Sequence, residues 1–222
     1  MNSKPLRHRP LLASLDIGTT KICCLIMEYD PGSTLFSVLG VGQYASSGIK
    51  NGYITNIEAL ENAIVNAVYL AEKMADTTIE DVFVNISGNH MLSEVISYSL
   101  NLGGPRTVQE SDLEALLAKA THVHQSNDFD ILHAFPLSYT LDGQDGVKDP
   151  LGLKGSKLAS ILHVMTASKT PLQNLITCVQ KCHLNIQSIT SSAIASGYAT
   201  LVEDERELGV TLIDIGGGTT EI

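Results

Sequence analysis

Leu11-Leu12-Ala13-Ser14-Leu15-Asp16-Ile17-Gly18-Thr19-Thr20-Lys21 is an apolar run that ends in a carboxylate, bends on a glycine and leaves through two hydroxyls and a lysine. It reads as a phosphate hairpin. A strand delivers Asp16 to a sheet edge, Gly18 lets the backbone bend without a Cβ, and the turn's N–H groups face one concavity that suits an anion. Thr19, Thr20 and Lys21 add hydroxyl donors and a positive charge, and Asp16 is placed to hold a hydrated magnesium ion against phosphate. Asp-x-Gly is also ordinary hairpin chemistry, so the bend alone does not separate a ligand site from a tight turn. A second stretch bears on that choice. Val210-Thr211-Leu212-Ile213-Asp214-Ile215-Gly216-Gly217-Gly218-Thr219-Thr220 repeats the apolar strand, the Asp-Ile-Gly and the paired threonines. Two such copies point to two similar domains, each opening with a hairpin, that face each other across one nucleotide.

The remaining composition sets bounds. The chain has 222 residues, 44% of them hydrophobic, enough for a real core in one large domain or two small ones. Its formal net charge of −10 argues against a general nucleic-acid binder, which needs clustered Lys and Arg. The only basic run, Lys4, Arg7, His8 and Arg9 beside Pro5 and Pro10, reads as a solubilising arm. No apolar stretch approaches the roughly 20 residues that span a bilayer, and the start lacks a signal-peptide h-region, so a cytoplasmic protein is expected. Cys23 and Cys24 are adjacent, and Cys178 and Cys182 are four apart; neither spacing is Cys-x-x-Cys, and all four read as packing thiols. His122-x-His124 lacks a third ligand and reads as a surface pair.

Taken in order, runs at 11–17, 21–29 and 36–44 form an antiparallel meander, with Asp30-Pro31-Gly32-Ser33 as a turn. After the loop 45–53, Thr55-Asn56-Ile57-Glu58 offers a capping box for a helix to about residue 75, with Leu60, Ile64, Val68 and Ala71 on its sheet-facing side. The apolar run 82–87 predicts a buried parallel strand. Three strands, a helix and a strand open a ribonuclease-H-like half of an actin-like fold.

From residue 88 the pattern changes. A strand at 92–102 meets the breaker Gly103-Gly104-Pro105, and a helix follows whose capping box is Thr107/Glu110 or Ser111/Glu114. Strands at 131–141 and 157–166 flank a long polar loop, completing an inserted strand-helix-strand-strand α+β domain. The loop's Gly152-Leu153-Lys154-Gly155-Ser156-Lys157 departs from G-x-x-x-x-G-K-[ST] and opens no helix, so it is read as a surface loop. The first domain resumes with Thr170 capping a helix whose first residue is Pro171 and whose stripe is Leu172, Leu175, Ile176 and Val179. A short strand at 185–190 precedes a helix at 191–202 rich in Ser, Ala and Gly, which suits either close approach to another backbone or ordinary tight packing. Residues 203–207 read as a charged turn. Ile222 falls in the second strand of the second hairpin, so the chain reads as a fragment.

These hairpins, together with Gly48-Ile49 and Gly52, Ile86-Ser87-Gly88 with His90, Pro150 with Gly152-Leu153 and Gly155, and Glu203-Asp204-Glu205-Arg206-Glu207-Leu208-Gly209-Val210, resemble the FtsA family of bacterial cell-division proteins over nearly the whole chain. The resemblance implies an α/β, actin-like chain. Residues 1–10 would be an arm, 11–87 and 166–206 a discontinuous subdomain 1A, 88–165 an inserted SHS2-like 1C domain, and 207–222 the start of subdomain 2A. It implies ATP and Mg as cofactors. Asp16, Gly18, Thr19, Thr20 and Lys21 would form hairpin one and Asp214, Gly216, Gly217, Gly218 and Thr219 hairpin two, with Asp16 and Asp214 at the metal. Glu221 stands where the family is expected to carry Asp. It further implies self-association into filaments beneath the inner membrane, anchorage of FtsZ and recruitment of later division proteins. Turnover would be slow or absent, and membrane attachment would run through a C-terminal helix not present here. Lacking the rest of the nucleotide site, this chain is expected to bind ATP poorly.

Two other readings use the same hairpins. A PilM-like pilus scaffold shares the insertion. A sugar kinase needs a carboxylate base, for which Asp81, Asp112 and Asp149 are the unmarked candidates.

Overall fold

The computed structural model describes residues 10–30, 35–124 and 126–222. The basic arm, the turn residues 31–34 and the side chain of His124 lie outside the described residues. In chain order the elements are β1 (Leu11–Ile17), β2 (Lys21–Tyr29), β3 (Phe36–Ala45), β4 (Ile49–Lys50), β5 (Tyr53–Ile54), α1 (Ile57–Ala75) and β6 (Asp81–Ile86). There follow β7 (Met91–Thr107), α2 (Glu110–His124), β8 (Phe129–Leu141), β9 (Gln144–Val147) and β10 (Lys154–Ser168). The chain continues with α3 (Lys169–Lys181), β11 (Asn185–Ser191), α4 (Ser192–Thr200), α5 (Glu203–Leu208), β12 (Asp214–Ile215) and β13 (Thr220–Glu221). They divide into two compact units: the chain up to Asn89 together with everything from Pro171, and His90–Thr170.

The first unit is built on a five-stranded sheet in the order β11-β6-β1-β2-β3. β1, β2 and β3 are the antiparallel meander, while β6 runs parallel to β1 and β11 parallel to β6. This is the ribonuclease-H-like arrangement expected from the sequence. The period-two alternation of β1 and β2 buries Ala13, Leu15, Ile17, Ile22, Cys24 and Ile26 on one face, and the register Leu15↔Cys24 and Leu15↔Val84 carries that face across three strands. α1 covers the meander through Leu60, Ala63, Ile64, Ala67, Val68 and Ala71.

Its approach to β3 is unusually close. A Cβ on Gly42 would stand 1.9 Å from the Ala67 carbonyl oxygen, and one on Gly40 would stand 2.1 Å from that of Ala71. Glycines on the strand and alanines on the helix let the two backbones touch. α1 is capped by Asn56 instead of the expected Thr55/Glu58 box: Asn56 Oδ1 accepts the Ala59 N–H at 3.0 Å. The reason is local, since the N–H groups of Thr55 and Asn56 both donate to Gly48 O and hold the chain in its turn until Asn56. The loop at 45–53 also differs, for it carries the small β4–β5 hairpin turning on Asn51 and Gly52, both at positive φ.

β6 is central in the sheet but buried on one side only. Val82, Val84 and Ile86 point to the core, whereas Phe83 is 42% exposed on the opposite face, alongside Val41 at 43%. α3 begins at Lys169, two residues before its expected start, because β10 runs straight into it and the Lys169 N–H donates to Asp128 O. Its buried stripe is Leu172, Leu175, Cys178 and Val179, with Cys178 taking the place expected of Ile176. The small-residue helix α4 buries none of its side chains, and the space around Gly197 is open. Close backbone approach is therefore not what its composition serves among the described residues. Residues expected as a charged turn form the short helix α5, opened by Glu205 Oε2 accepting the Val202 N–H at 3.1 Å.

The second unit is a four-stranded antiparallel sheet, β7-β10-β8-β9, with α2 on one face. Leu116 and Ala120 of α2 are buried against Leu102, Leu141 and Leu158 at one end and against Leu162 and Val164 at the other. The polar loop contains a strand that sequence reading missed, β9. The breaker Gly103-Gly104-Pro105 does not end β7. Gly103 and Gly104 adopt φ of 80° and 132°, which lets the strand bulge and rejoin β10 at Arg106↔Gly155.

Neither expected capping box starts α2. Asp112 accepts the Gln109 N–H at 2.9 Å and is clamped by both terminal nitrogens of Arg106, at 2.7 and 2.5 Å. The glycine-rich run 152–157 is not a free surface loop either, because its last four residues belong to strand β10. The N–H groups of Ser156 and Lys157 there donate to the carboxylate of Asp142.

Candidate functional site

The parallel strands β1, β6 and β11 end at one edge of the first unit's sheet, the position at which open α/β sheets hold ligands. Register places Asp16 beside Asn85, and Asn85 beside Thr190, at that edge. Immediately past β1 the chain turns, and the Gly18 N–H donates to Lys21 O at 3.0 Å. The second hairpin closes in the same way, with the Gly216 N–H donating to Thr219 O at 2.9 Å. In each case a carboxylate lies two residues before the donating glycine, so the two bends are one motif built twice.

The match is of backbone, not of side chains. Gly217 and Gly218 occupy the turn positions held by Thr19 and Thr20 in the first hairpin, and Thr219 that of Lys21, so the paired threonines are offset by two residues. The substitution has a steric cause. A Cβ on Gly217 would come within 2.2 Å of Thr20 Cγ2, and one on Gly218 within 2.5 Å of Thr19 Oγ1 and 2.9 Å of Asn51 Oδ1. The second bend is stripped to glycine because it lies directly against the first.

The two bends wall an open cleft of about 370 Å³. Of the residues expected at the site, Asp16, Gly18, Thr19, Thr20, Lys21, Asp214, Gly216, Gly217 and Thr219 line it. Gly218 sits behind, against Thr19 and Asn51. Five further polar residues line the cleft: Glu221, noted in the sequence as a departure in the second hairpin, and Asn85, Ser87, Ser192 and Ser196, which sequence reading did not assign to it. Two signals would have found most of them. Asn85 ends a strand parallel to that of Asp16, and Ser192 and Ser196 are four apart, on one face of a helix that starts at the same sheet edge.

Hydrogen bonds tie these groups together. Asn85 Nδ2 donates to Asp16 Oδ1 at 2.9 Å and to Ser192 Oγ at 3.1 Å, and the Ser192 hydroxyl donates to Ile86 O at 3.1 Å. The Ser196 hydroxyl donates to Asp214 Oδ2 at 2.7 Å, and that of Thr219 donates to Ser87 Oγ at 3.3 Å. Glu221 pairs across the hairpin with Asp214. Burial pushes its carboxyl above the ordinary value and the Asp214 charge adds to this, while backbone N–H groups of Ala193 and Gly88 pull the other way. Glu221 Oε2 is buried without a partner.

Among the described residues no three His, Cys, Asp or Glu side chains converge as a metal cage. Magnesium keeps several waters and takes one or two carboxylates plus phosphate oxygens. Asp16 and Asp214 on either side of turn amides, two threonine hydroxyls and Lys21 fit that chemistry. The cysteines do not contribute. Burial pushes Cys24 and Cys178 up to about 12 and Cys182 to about 11, which keeps them as packed thiols.

The three carboxylates considered as a kinase base are committed elsewhere. Asp81 accepts from Gln187 Nε2, Asp112 from Arg106 and Gln109, and Asp149 from the Leu151 N–H, and none of them lines the cleft.

Residues 88–166 match the family model described as the SHS2 domain inserted in FtsA. Over 227 aligned positions the chain is 40% identical to the cell division protein FtsA of Rhizobium meliloti, covering 98% of this chain and 51% of that relative. It is 39% identical to that of Pseudomonas aeruginosa and 33% identical to that of Escherichia coli; each alignment covers 96% of this chain and 50% of the relative. Among solved structures, a chain of the PilM-PilN type IV pilus biogenesis complex superposes with a TM-score of 0.54 at 15% identity, covering 86% of this chain and 50% of that one. That likeness establishes the α/β actin-like fold of the architecture described above. The chain spans about half the length of the curated relatives it matches. Over that span, with the inserted SHS2 domain in place, it belongs to the FtsA family of cell division proteins.

Proposed function

We propose that the cleft between the two hairpins binds the phosphates of ATP together with a magnesium ion, and that the nucleotide serves assembly instead of catalysis. Asp16, Gly18, Thr19, Thr20 and Lys21 would supply one wall, and Asp214, Gly216, Gly217, Gly218 and Thr219 the other, with Asp16 and Asp214 facing the metal through its water shell. One observation carries this reading: two identically closed glycine bends, each preceded by a carboxylate, lie against one cleft. Turn amides and a cation are what a polyphosphate needs.

In a protein with the full length of the relatives, residues 88–165 would be the 1C domain, 11–87 and 166–206 subdomain 1A, and the second hairpin the opening of subdomain 2A. Such a protein would self-associate into filaments on the cytoplasmic face of the inner membrane at the division site. It would anchor FtsZ there and recruit later division proteins, reaching the membrane through a C-terminal helix. Calorimetric titration of the chain with ATP tests the binding claim. Weak binding is expected with magnesium, and Asp16→Ala and Asp214→Ala should each weaken it further, at least about tenfold. Wild-type affinity in both variants would overturn the reading.

A further inference from the structure

The carboxylates of Asp16 and Asp214 arrive from hairpins almost two hundred residues apart, yet a single helix reaches both. Ser192 opens α4 and Ser196 lies one turn further along the same face. Ser196 holds Asp214 directly through its hydroxyl (2.7 Å), and Ser192 holds Asp16 through Asn85, whose amide bridges the two at 2.9 and 3.1 Å. α4 has no buried side chain of its own, so packing does not account for these serines.

Asn85 is the more telling of the group. A carboxylate can only accept, so the amide must turn its NH₂ toward Asp16. That leaves Asn85 Oδ1 facing away, buried and without a partner. An orphaned acceptor costs stability, and Val would fill a strand position without one. The amide is therefore better explained by what it does to Asp16 than by what it does for the sheet.

Building on the nucleotide reading above, we propose that Asn85 and Ser196 are positioning residues. Each fixes one oxygen of a hairpin carboxylate and turns the other oxygen toward a shared divalent cation, and α4 sets the spacing between the two. Groups that orient metal-facing carboxylates in this way change metal affinity by about 10- to 100-fold when removed.

The test uses the full chain, with Mn²⁺ as the probe in the presence of ATP, read by electron paramagnetic resonance, and ATP binding measured separately in EDTA. Asn85→Ala and Ser196→Ala should each weaken Mn²⁺ binding about 10- to 100-fold, well beyond any change in metal-free ATP binding. Ser196→Thr, which keeps the hydroxyl, should bind Mn²⁺ as wild type does. Unchanged Mn²⁺ affinity in both alanine variants would overturn the proposal. So would an equal loss of metal-free ATP binding, which is the signature of a merely structural role. If wild type itself holds no Mn²⁺ with ATP, the nucleotide reading fails first and this one with it, an outcome visible before any variant is made.

Discussion

Asp112 illustrates what one side chain can decide. Its carboxylate joins a bidentate pair with Arg106 to the first turn of α2, and the guanidinium with the Gln109 N–H holds it down to about 2. A depressed carboxylate contributes stability above its unfolded value, near 3.9, and loses it as pH falls through that value toward about 2. Circular dichroism during acid titration should therefore show the second unit of Arg106→Ala losing helix at higher pH than wild type. Coincident curves would count against the clamp. Single residues were also where the sequence was hardest to read. Asp16 and Asp214 announce themselves by the glycine that follows, whereas Asn85, Ser192 and Ser196 carry no motif and gain meaning only when β6 and α4 are brought to the same edge. Asp112 and Asn56 were missed as caps for a related reason: a capping box requires residue types that many neighbouring positions share, and which pair acts is settled by a distant partner such as Arg106 or Gly48.

Elements were more legible. Alternation gave the three strands of the meander, and the stripe Leu60, Ile64, Val68 and Ala71 gave α1 its buried face. Helical periodicity did not reveal how near α1 lies to β3, because closeness is a property of two elements and is written in Gly40 and Gly42 on one and Ala67 and Ala71 on the other. Gly42→Ala should cost about 1–3 kcal/mol, since a Cβ 1.9 Å from a helix carbonyl can be relieved only by moving the helix. Urea denaturation measures this, and an unchanged midpoint would refute the tight contact. The strand β7 teaches the opposite lesson. Gly103-Gly104-Pro105 has the composition of a breaker, yet two glycines at positive φ make a bulge that the partner strand β10 spans. α4 is a third case, in which small residues suited either close approach or ordinary packing, and two of its serine hydroxyls are hydrogen-bonded to Asn85 and Asp214.

At the scale of the molecule, the actin-like topology follows from a short argument: three antiparallel strands, a helix and a parallel strand admit few arrangements, and the second copy of the bend singles out one. The insertion was visible as a change of pattern near residue 88, and its fourth strand was not, because β9 is four residues long and polar. What the sequence could not convey is that the second bend presses on the first, with Gly217 against Thr20 and Gly218 against Thr19. This contact brings the two bends to one cleft, and the functional account depends on it. Nuclear magnetic resonance of the isotope-labelled chain titrated with magnesium pyrophosphate tests it most directly. The account predicts that amide signals of Gly18, Thr19 and Thr20 and those of Gly216, Gly217 and Gly218 shift together along one saturation curve. Movement of one set while the other stays in place, or of neither, would contradict it.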